Sequence, residues 1–326
     1  MKIGIIGTGK VASDAYLPFL ASQSDVELSY WNRTREKADT CATGFGGAVC
    51  DGIPELVARA TDAVFVLTSE KVRADILREL VPLNPARVFC EKPLVARNGQ
   101  DDVTEDDFAI ALDLMGALHA GGSRTAMIFN YRFLDQTLAA KRILSERSFG
   151  RPVNAVAFVN YACWSHCIDL LLDFVGPASV IGAQAGALRH GETRVADVVA
   201  SITFANGAAG TIAGSWALNF GFPLFELIVN YEGGRFHFRG LDGDLEILDY
   251  ATHCHETLSV TRNTSRWDQY RASFGKSLAA YLDSVRQHVE PPVPGQAGLR
   301  ELQFEAGLRR SIREDSPVNL NEAFPL

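Results

Sequence analysis

Six residues near the start constrain this chain more than any others: Gly7-Thr8-Gly9-Lys10-Val11-Ala12, set between an apolar run at 3–6 and an amphipathic run at 11–22. This is the G-x-G-x-x-A form of the dinucleotide fingerprint, and its position between a strand and a helix is what gives the short motif its meaning. Gly7 permits a tight turn, Gly9 lets the backbone approach a pyrophosphate, and Ala12 lets the helix lie close on the sheet. The anion is then left at the helix N-terminus. Thr8, Lys10 and Val11 fill out the turn and join the candidate cofactor residues.

The rest of the first 130 residues keeps the rhythm that such a turn requires. Strands are expected at 26–31, 63–68, 88–90 and 126–129, with a helix beginning at 35–41 and another at 105–119 before Gly121-Gly122 stops it. After Gly150 the pattern changes to longer strands with turn signals. The clearest is a hairpin of 198–204 and 210–216 around Asn206-Gly207. Further strands are expected at 224–229 and 235–238, then helices at 270–288 and 299–313. The fold class is therefore α/β: a doubly wound Rossmann parallel sheet followed by an α+β domain with a large, mainly antiparallel open sheet. Residues 1–122 form the dinucleotide-binding domain, with a strand at 126–130 completing it. Residues 131–326 form a domain for substrate binding and oligomerisation.

The residue after the second strand decides between the two nicotinamide dinucleotides. A carboxylate there accepts hydrogen bonds from the ribose 2′-hydroxyl of NAD, but the chain reads Tyr30-Trp31-Asn32-Arg33-Thr34. A guanidinium and a hydroxyl suit a 2′-phosphate, so NADP(H) is favoured and NAD(H) remains open. Arg33 has an alternative as a solvated loop residue or a stack on adenine.

Cys90-Glu91-Lys92-Pro93, placed after a sheet strand, resembles the E-K-P motif of the Gfo/Idh/MocA oxidoreductases. Tyr16-Leu17-Pro18, Asn130-Tyr131-Arg132-Phe133, the segment 164–176 with His166 and Ile168-Asp169, and the closing segment 291–318 follow in the family's order. The resemblance implies that Lys92 contacts the reacting hydroxyl or carbonyl as proton donor or acceptor, a role a partly desolvated ammonium can fill. It implies that His166 is the second catalytic residue. Thr68, Ser69, Glu91 and Lys92 then border the cofactor, and Tyr131, Arg132, Tyr161, Trp164 and His166 contact substrate with Lys92. His166 also lies beside Ile168, Leu170 and Leu171, as a satisfied core histidine would.

Two departures bear on substrate. Ala162 stands four residues before His166, where the family has an aspartate, and the stretch 153–166 is short. The expected activity is hydride transfer between a nicotinamide and a carbonyl or alcohol carbon of a small, sugar- or cyclitol-like molecule. An imine or conjugated-substrate reductase is the alternative within the family, and a catalytically silent NAD(P)-binding regulator the alternative from another class. In the strand that resembles the family's T-P-N-x-x-H, this chain has Thr68-Ser69-Glu70-Lys71-Val72-Arg73, without the proline and the histidine.

A formal net charge of -8 with no basic run excludes nucleic acid as a partner. No apolar run approaches the roughly 20 residues of a membrane helix, and Gly7 interrupts the opening before a secretory core can form. Six scattered cysteines suit reduced thiols in a cytoplasmic protein. Neither Cys163, His166 and Cys167 nor His253-Cys254-His255 has paired zinc-site spacing, so no metal is expected. The expected partners are a small-molecule substrate and copies of the chain itself, as a homodimer or homotetramer. Ile202, Phe204, Ile212 and Trp216 can fall on either face of the second sheet.

Overall fold

The computed structural model describes residues 1–190, 195–260 and 263–326. The chain divides into two compact units, Met1–Phe129 with Phe274–Leu302, and Asn130–Ser273 with Gln303–Leu326.

The first unit is built on six parallel strands, β1 (Lys2–Ile6), β2 (Glu27–Trp31), β3 (Ala48–Val49), β4 (Ala63–Val66), β5 (Arg87–Glu91) and β6 (Arg124–Ile128). Their order is β3-β2-β1-β4-β5-β6. The order reverses beside β1, which is where ligands bind in doubly wound sheets. Ile3, Ile5 and Ile6 of β1 and all of β4 are buried, as expected of parallel strands covered on both faces. The stretch expected as one helix at 11–22 has two parts: a turn of π-helix at Ala12–Tyr16 and the α-helix Leu17–Ala21. Pro18 in the first α-turn lacks an N–H, so the wider turn ahead of it loses no bond there.

Placing the boundary near 122–131 gives residues 274–302 to the second unit, whereas they pack with the first. The reason is a helix face. Phe274, Leu278, Tyr281, Leu282 and Val285 of the helix Arg266–Arg286 are buried at helical spacing. The Phe274 ring meets Tyr16 at 5.3 Å and the Tyr281 ring meets Phe89 at 5.4 Å, while the Tyr281 hydroxyl donates to the Met127 carbonyl. Beyond the helix, Gly295 N–H donates to Thr125 O at 2.8 Å and closes the outer edge of β6.

The second unit carries a nine-stranded sheet. Its strands are β7 (Pro152–Asn160), β8 (Ala178–Ala185), β9 (Val198–Phe204), β10 (Ala209–Ser215), β11 (Phe225–Tyr231), β12 (Gly234–Arg239), β13 (Leu245–Asp249), β14 (Cys254–Leu258) and β15 (Val318–Asn319). The order is β14-β13-β12-β11-β7-β10-β9-β8-β15, antiparallel except where β7 meets β10. The expected hairpin forms between β9 and β10 with Gly207 at φ +86°, and the Asn206 side chain accepts from Ala208 N–H at 3.0 Å. Period-two alternation sends Ala200, Ile202, Phe204, Ile212, Leu227 and Val229 to a buried face, against which the helix Trp164–Val175 packs. Ile202, Phe204 and Ile212 are thus core residues, and Trp216 is half-buried just past β10. Among the described residues no helix is long and apolar enough to cross a membrane.

Candidate cofactor cavity and lysine loop

The glycine turn lies where β1 ends. Gly7 has φ +96°, and a Cβ on it would meet Thr68 N at 2.7 Å, so only glycine fits both the backbone angle and the space. Around Gly9 the opposite holds: a Cβ would meet nothing within 4 Å, which leaves its backbone open to a ligand. Asn32 ties the turn to the end of β2. Its Oδ1 accepts from Thr8 N–H at 3.2 Å and its Nδ2 donates to Thr34 O at 2.9 Å.

A cavity of about 410 Å³ opens over this turn. Of the residues named from the sequence, Gly7, Gly9, Asn32, Arg33, Thr34, Thr68 and Ser69 line it. Thr8 is buried beneath the turn, and Lys10 is on the exposed side, paired with Asp14 at 2.6 Å. Val11, Glu91 and Lys92 are not among the lining residues. Lys37, Asp75 and Glu79 line the cavity and were not named from the sequence. Lys37 had a signal, standing four residues after Arg33 in the first turn of the helix Arg35–Phe45. Asp75 and Glu79 had none, because the helix Glu70–Leu80 meets the cavity only through the sheet order. The buried Thr68 Oγ1 has no partner among the described residues. An open glycine backbone, an unpaired hydroxyl oxygen and the cations Arg33 and Lys37 fit a dinucleotide phosphate chain, and the carboxylates of Asp75 and Glu79 line the same cavity.

The lysine loop follows β5 in the same unit. Glu91 is buried; its carboxylate accepts from the Tyr16 hydroxyl and, at 2.8 Å, from the Lys92 backbone N–H. Lys92 Nζ donates to Gln100 Oε1 at 3.0 Å. The loop is held by a residue that the sequence marks only as a departure. Arg73 is 1% exposed, and its guanidinium donates to the carbonyls of Thr68, Glu91 and Pro93, with Leu94 O more distant at 3.5 Å. Burial lowers the guanidinium pKa, opposed by neighbouring Cys90 and Glu91, and burial pushes the Cys90 thiol up to about 12, which keeps it neutral.

In the second unit the remaining named residues gather on the segment 130–133, the turn Tyr161–Cys163 and the helix Trp164–Val175. His166 is 3% exposed and its ring stacks on Tyr131 at 3.9 Å, while the Tyr131 hydroxyl lies 3.1 Å from Cys163 Sγ. Burial raises the Tyr131 pKa, so its hydroxyl stays protonated. Arg132 makes a two-pronged ion pair with buried Asp169 at 2.8 and 2.6 Å and reaches Asp173 at 2.6 Å. Burial raises Asp169 to about 6 against the pull of Arg132. The Tyr161 hydroxyl donates to Ala196 O at 2.8 Å, and Tyr161 packs on Trp164 at 5.2 Å. Tyr131, Arg132, Tyr161, Trp164 and His166 are therefore brought into one neighbourhood, with Arg132 committed to two carboxylates. Ala162 offers its backbone N–H to Asn160 Oδ1 at 2.9 Å.

Residues 1–103 match the GFO_IDH_MocA family model, described as an oxidoreductase family with an NAD-binding Rossmann fold. Both the glycine turn and the E-K-P segment lie within the match, so the resemblance read from these motifs holds for them. Three solved structures share the fold over nearly the full length. An oxidoreductase from Agrobacterium radiobacter, in complex with NAD+, L-tartaric acid and magnesium, aligns at 14% identity and TM-score 0.80, covering 99% of each chain. An NAD-binding oxidoreductase from Klebsiella pneumoniae aligns at 17% identity and TM-score 0.81, covering 98% of each. The WlbA dehydrogenase from Bordetella pertussis, in complex with NADH and UDP-GlcNAcA, aligns at 18% identity and TM-score 0.77, covering 98% of this chain and 97% of that one. At these identities the likeness establishes the fold.

Proposed function

We propose, from the match of residues 1–103 to the NAD-binding oxidoreductase family, that this chain is a dehydrogenase or reductase of a small polar substrate. The observation that carries the proposal is the cavity over an open Gly9 backbone in the unit that also holds Lys92 on its clamped loop. A nicotinamide dinucleotide, when bound, supplies the hydride chemistry at a carbonyl or alcohol carbon. Lys92 gives or takes the proton at the substrate oxygen, as an ammonium beside a neutral amide is equipped to do. His166 is the second candidate proton group, held by its stack on Tyr131.

NADP(H) is the preferred cofactor in this reading. Arg33 and Lys37 both line the cavity, and no carboxylate follows β2. Sugar- or cyclitol-like molecules are the leading substrate class; the WlbA structure carries a nucleotide sugar. Ala162 favours a second reading, an imine or conjugated-substrate reductase, because no carboxylate stands there to manage a hydroxyl proton.

The open face of the second sheet supports self-association, as a homodimer or homotetramer. Phe158, Ala213 and Val199 stand in one cross-strand row, and Val156 with Ile228 in the next. Phe158 is 53% and Val199 54% exposed. A second copy laying the same face against this one covers both rows. Light scattering after size exclusion tests it; a monomer at micromolar concentration ends the idea.

The test of cofactor choice is calorimetric titration with NADPH and NADH of the wild type, Arg33→Ala and Arg33→Ala/Lys37→Ala. Loss of each phosphate contact, at about 1.5–3 kcal/mol, weakens NADPH about tenfold to a hundredfold and leaves NADH nearly unchanged. Equal or tighter NADH binding by the wild type refutes the NADP reading. Absence of binding by either refutes the oxidoreductase reading itself. Turnover over a panel of polyols, nucleotide sugars and cyclic imines, abolished in Lys92→Ala, then names the substrate class.

A further inference from the structure

We infer that Gln100 is a positioning residue for Lys92, fixing the direction of its ammonium through a neutral acceptor. The inference rests on the assignment of Lys92 as the proton group. It starts from the segment 97–103, between the lysine loop and the helix Glu105–Ala120, which folds back so that Gln100 Oε1 accepts from Lys92 Nζ at 3.0 Å. Since an ammonium has only donors, the amide oxygen must face it, which fixes the orientation of the Gln100 amide.

The segment is anchored at both ends, so the contact is not that of a loose loop. Gly99 N–H donates to Ala96 O at 3.0 Å and Asp102 N–H to Gly99 O at 3.0 Å. Arg97 Nε pairs with the buried Asp107 at 2.9 Å, and Asp107 in turn closes a capping box with Thr104 at the start of the next helix. Asn98 Nδ2 donates to Asp102 at 3.1 Å.

A neutral partner is the chemically significant choice. A carboxylate at 3 Å holds an ammonium protonated and offsets the positive charge that a developing oxyanion needs, whereas an amide orients the group and leaves the charge intact. The carboxylate next to Lys92 in sequence is otherwise engaged. Glu91 accepts from Tyr16 and from the Lys92 backbone rather than from Nζ. Arg73 turns its guanidinium to backbone carbonyls. Gln100 is therefore the side chain that sets where Lys92 points. Its own Nε2 donates to no described residue, so the amide makes no competing contact that would turn the oxygen away from Lys92.

Competitive acetylation with acetic anhydride across pH, read by mass spectrometry of the Lys92 peptide, tests this without a known substrate. The full chain is used as wild type, Gln100→Glu and Gln100→Leu. The Lys92 titration midpoint is expected to rise by about one pH unit in Gln100→Glu, because an opposite charge favours the ammonium. It is expected to fall in Gln100→Leu, because the hydrogen bond to the charged form is gone. Lys10, with its side chain 89% exposed, serves as the reference whose midpoint stays fixed. Midpoints for Lys92 that coincide in all three proteins overturn the inference, as does a shift shared equally by Lys10. A variant that shifts the Lys92 midpoint in a protein that binds neither nicotinamide dinucleotide upholds the contact and overturns the redox reading alone.

Discussion

Replacing Arg73 by methionine tests the description of the lysine loop most directly. The guanidinium is buried, and the carbonyls of Thr68, Glu91 and Pro93 take their hydrogen bonds from it. Methionine fills much of the volume and donates nothing. Each carbonyl left unpaired out of water costs about 1–3 kcal/mol, while relief from holding a desolvated guanidinium offsets part of that loss. The net destabilisation is expected to be about 3 kcal/mol, comparable with other broken buried polar clusters. For a unit of this size that lowers the melting temperature by about 6–12 °C, read by circular dichroism on full-length protein. Arg73→Lys retains one charged donor head and is expected to fall between. Dinucleotide affinity is expected to drop with stability, because Thr68 belongs both to the clamp and to the cavity wall. An Arg73→Met protein that melts within about 2 °C of wild type refutes the clamp.

Three further outcomes follow from the same geometry. Gly7→Ala forces a Cβ to within 2.7 Å of Thr68 N at φ +96°, so a loss of about 1–3 kcal/mol and of measurable dinucleotide binding is expected in calorimetry; wild-type affinity in this variant contradicts the turn geometry. Tyr281→Phe leaves the Met127 carbonyl without its donor, and a fall of about 1 kcal/mol is expected by urea denaturation, with unchanged m-value. Asp169, raised by burial to about 6 from an ordinary 3.8, contributes stability that is fully present below pH 3.8 and lost as pH rises through 6. Relative to Asp169→Asn, which does not titrate, the wild type is therefore expected to lose up to about 3 kcal/mol between pH 4 and 7; a difference that is flat over this range refutes the raised value.

Local signals in the sequence determined a good part of this protein. The glycine turn, the alternation of short buried strands with amphipathic helices, and Asn206-Gly207 each act over a few neighbouring residues, and each formed where the pattern required. Arg33 and Thr34 reached the cavity wall for the same reason, since β2 pairs directly with β1 and the residues after it end beside the glycine turn. Lys92 was legible through the E-K-P motif, although the groups that hold it were not.

What only the tertiary structure decided depends on residues far apart in the chain. Residues 274–302 join the first unit because a row of apolar side chains packs on Tyr16 and Phe89, partners distant in the chain that periodicity cannot report. Arg73 reads as a substitution in a motif, and only its burial among three carbonyls makes it a clamp. Arg132 carries no sign in the sequence of the two carboxylates, Asp169 and Asp173, that pair with it in the fold. Asp75, Glu79 and Gln100 carry no local mark. Periodicity and turn chemistry are set by neighbouring residues and so can be read along the chain, whereas hydrogen bonds and desolvation depend on which distant groups meet, and folding alone brings those together.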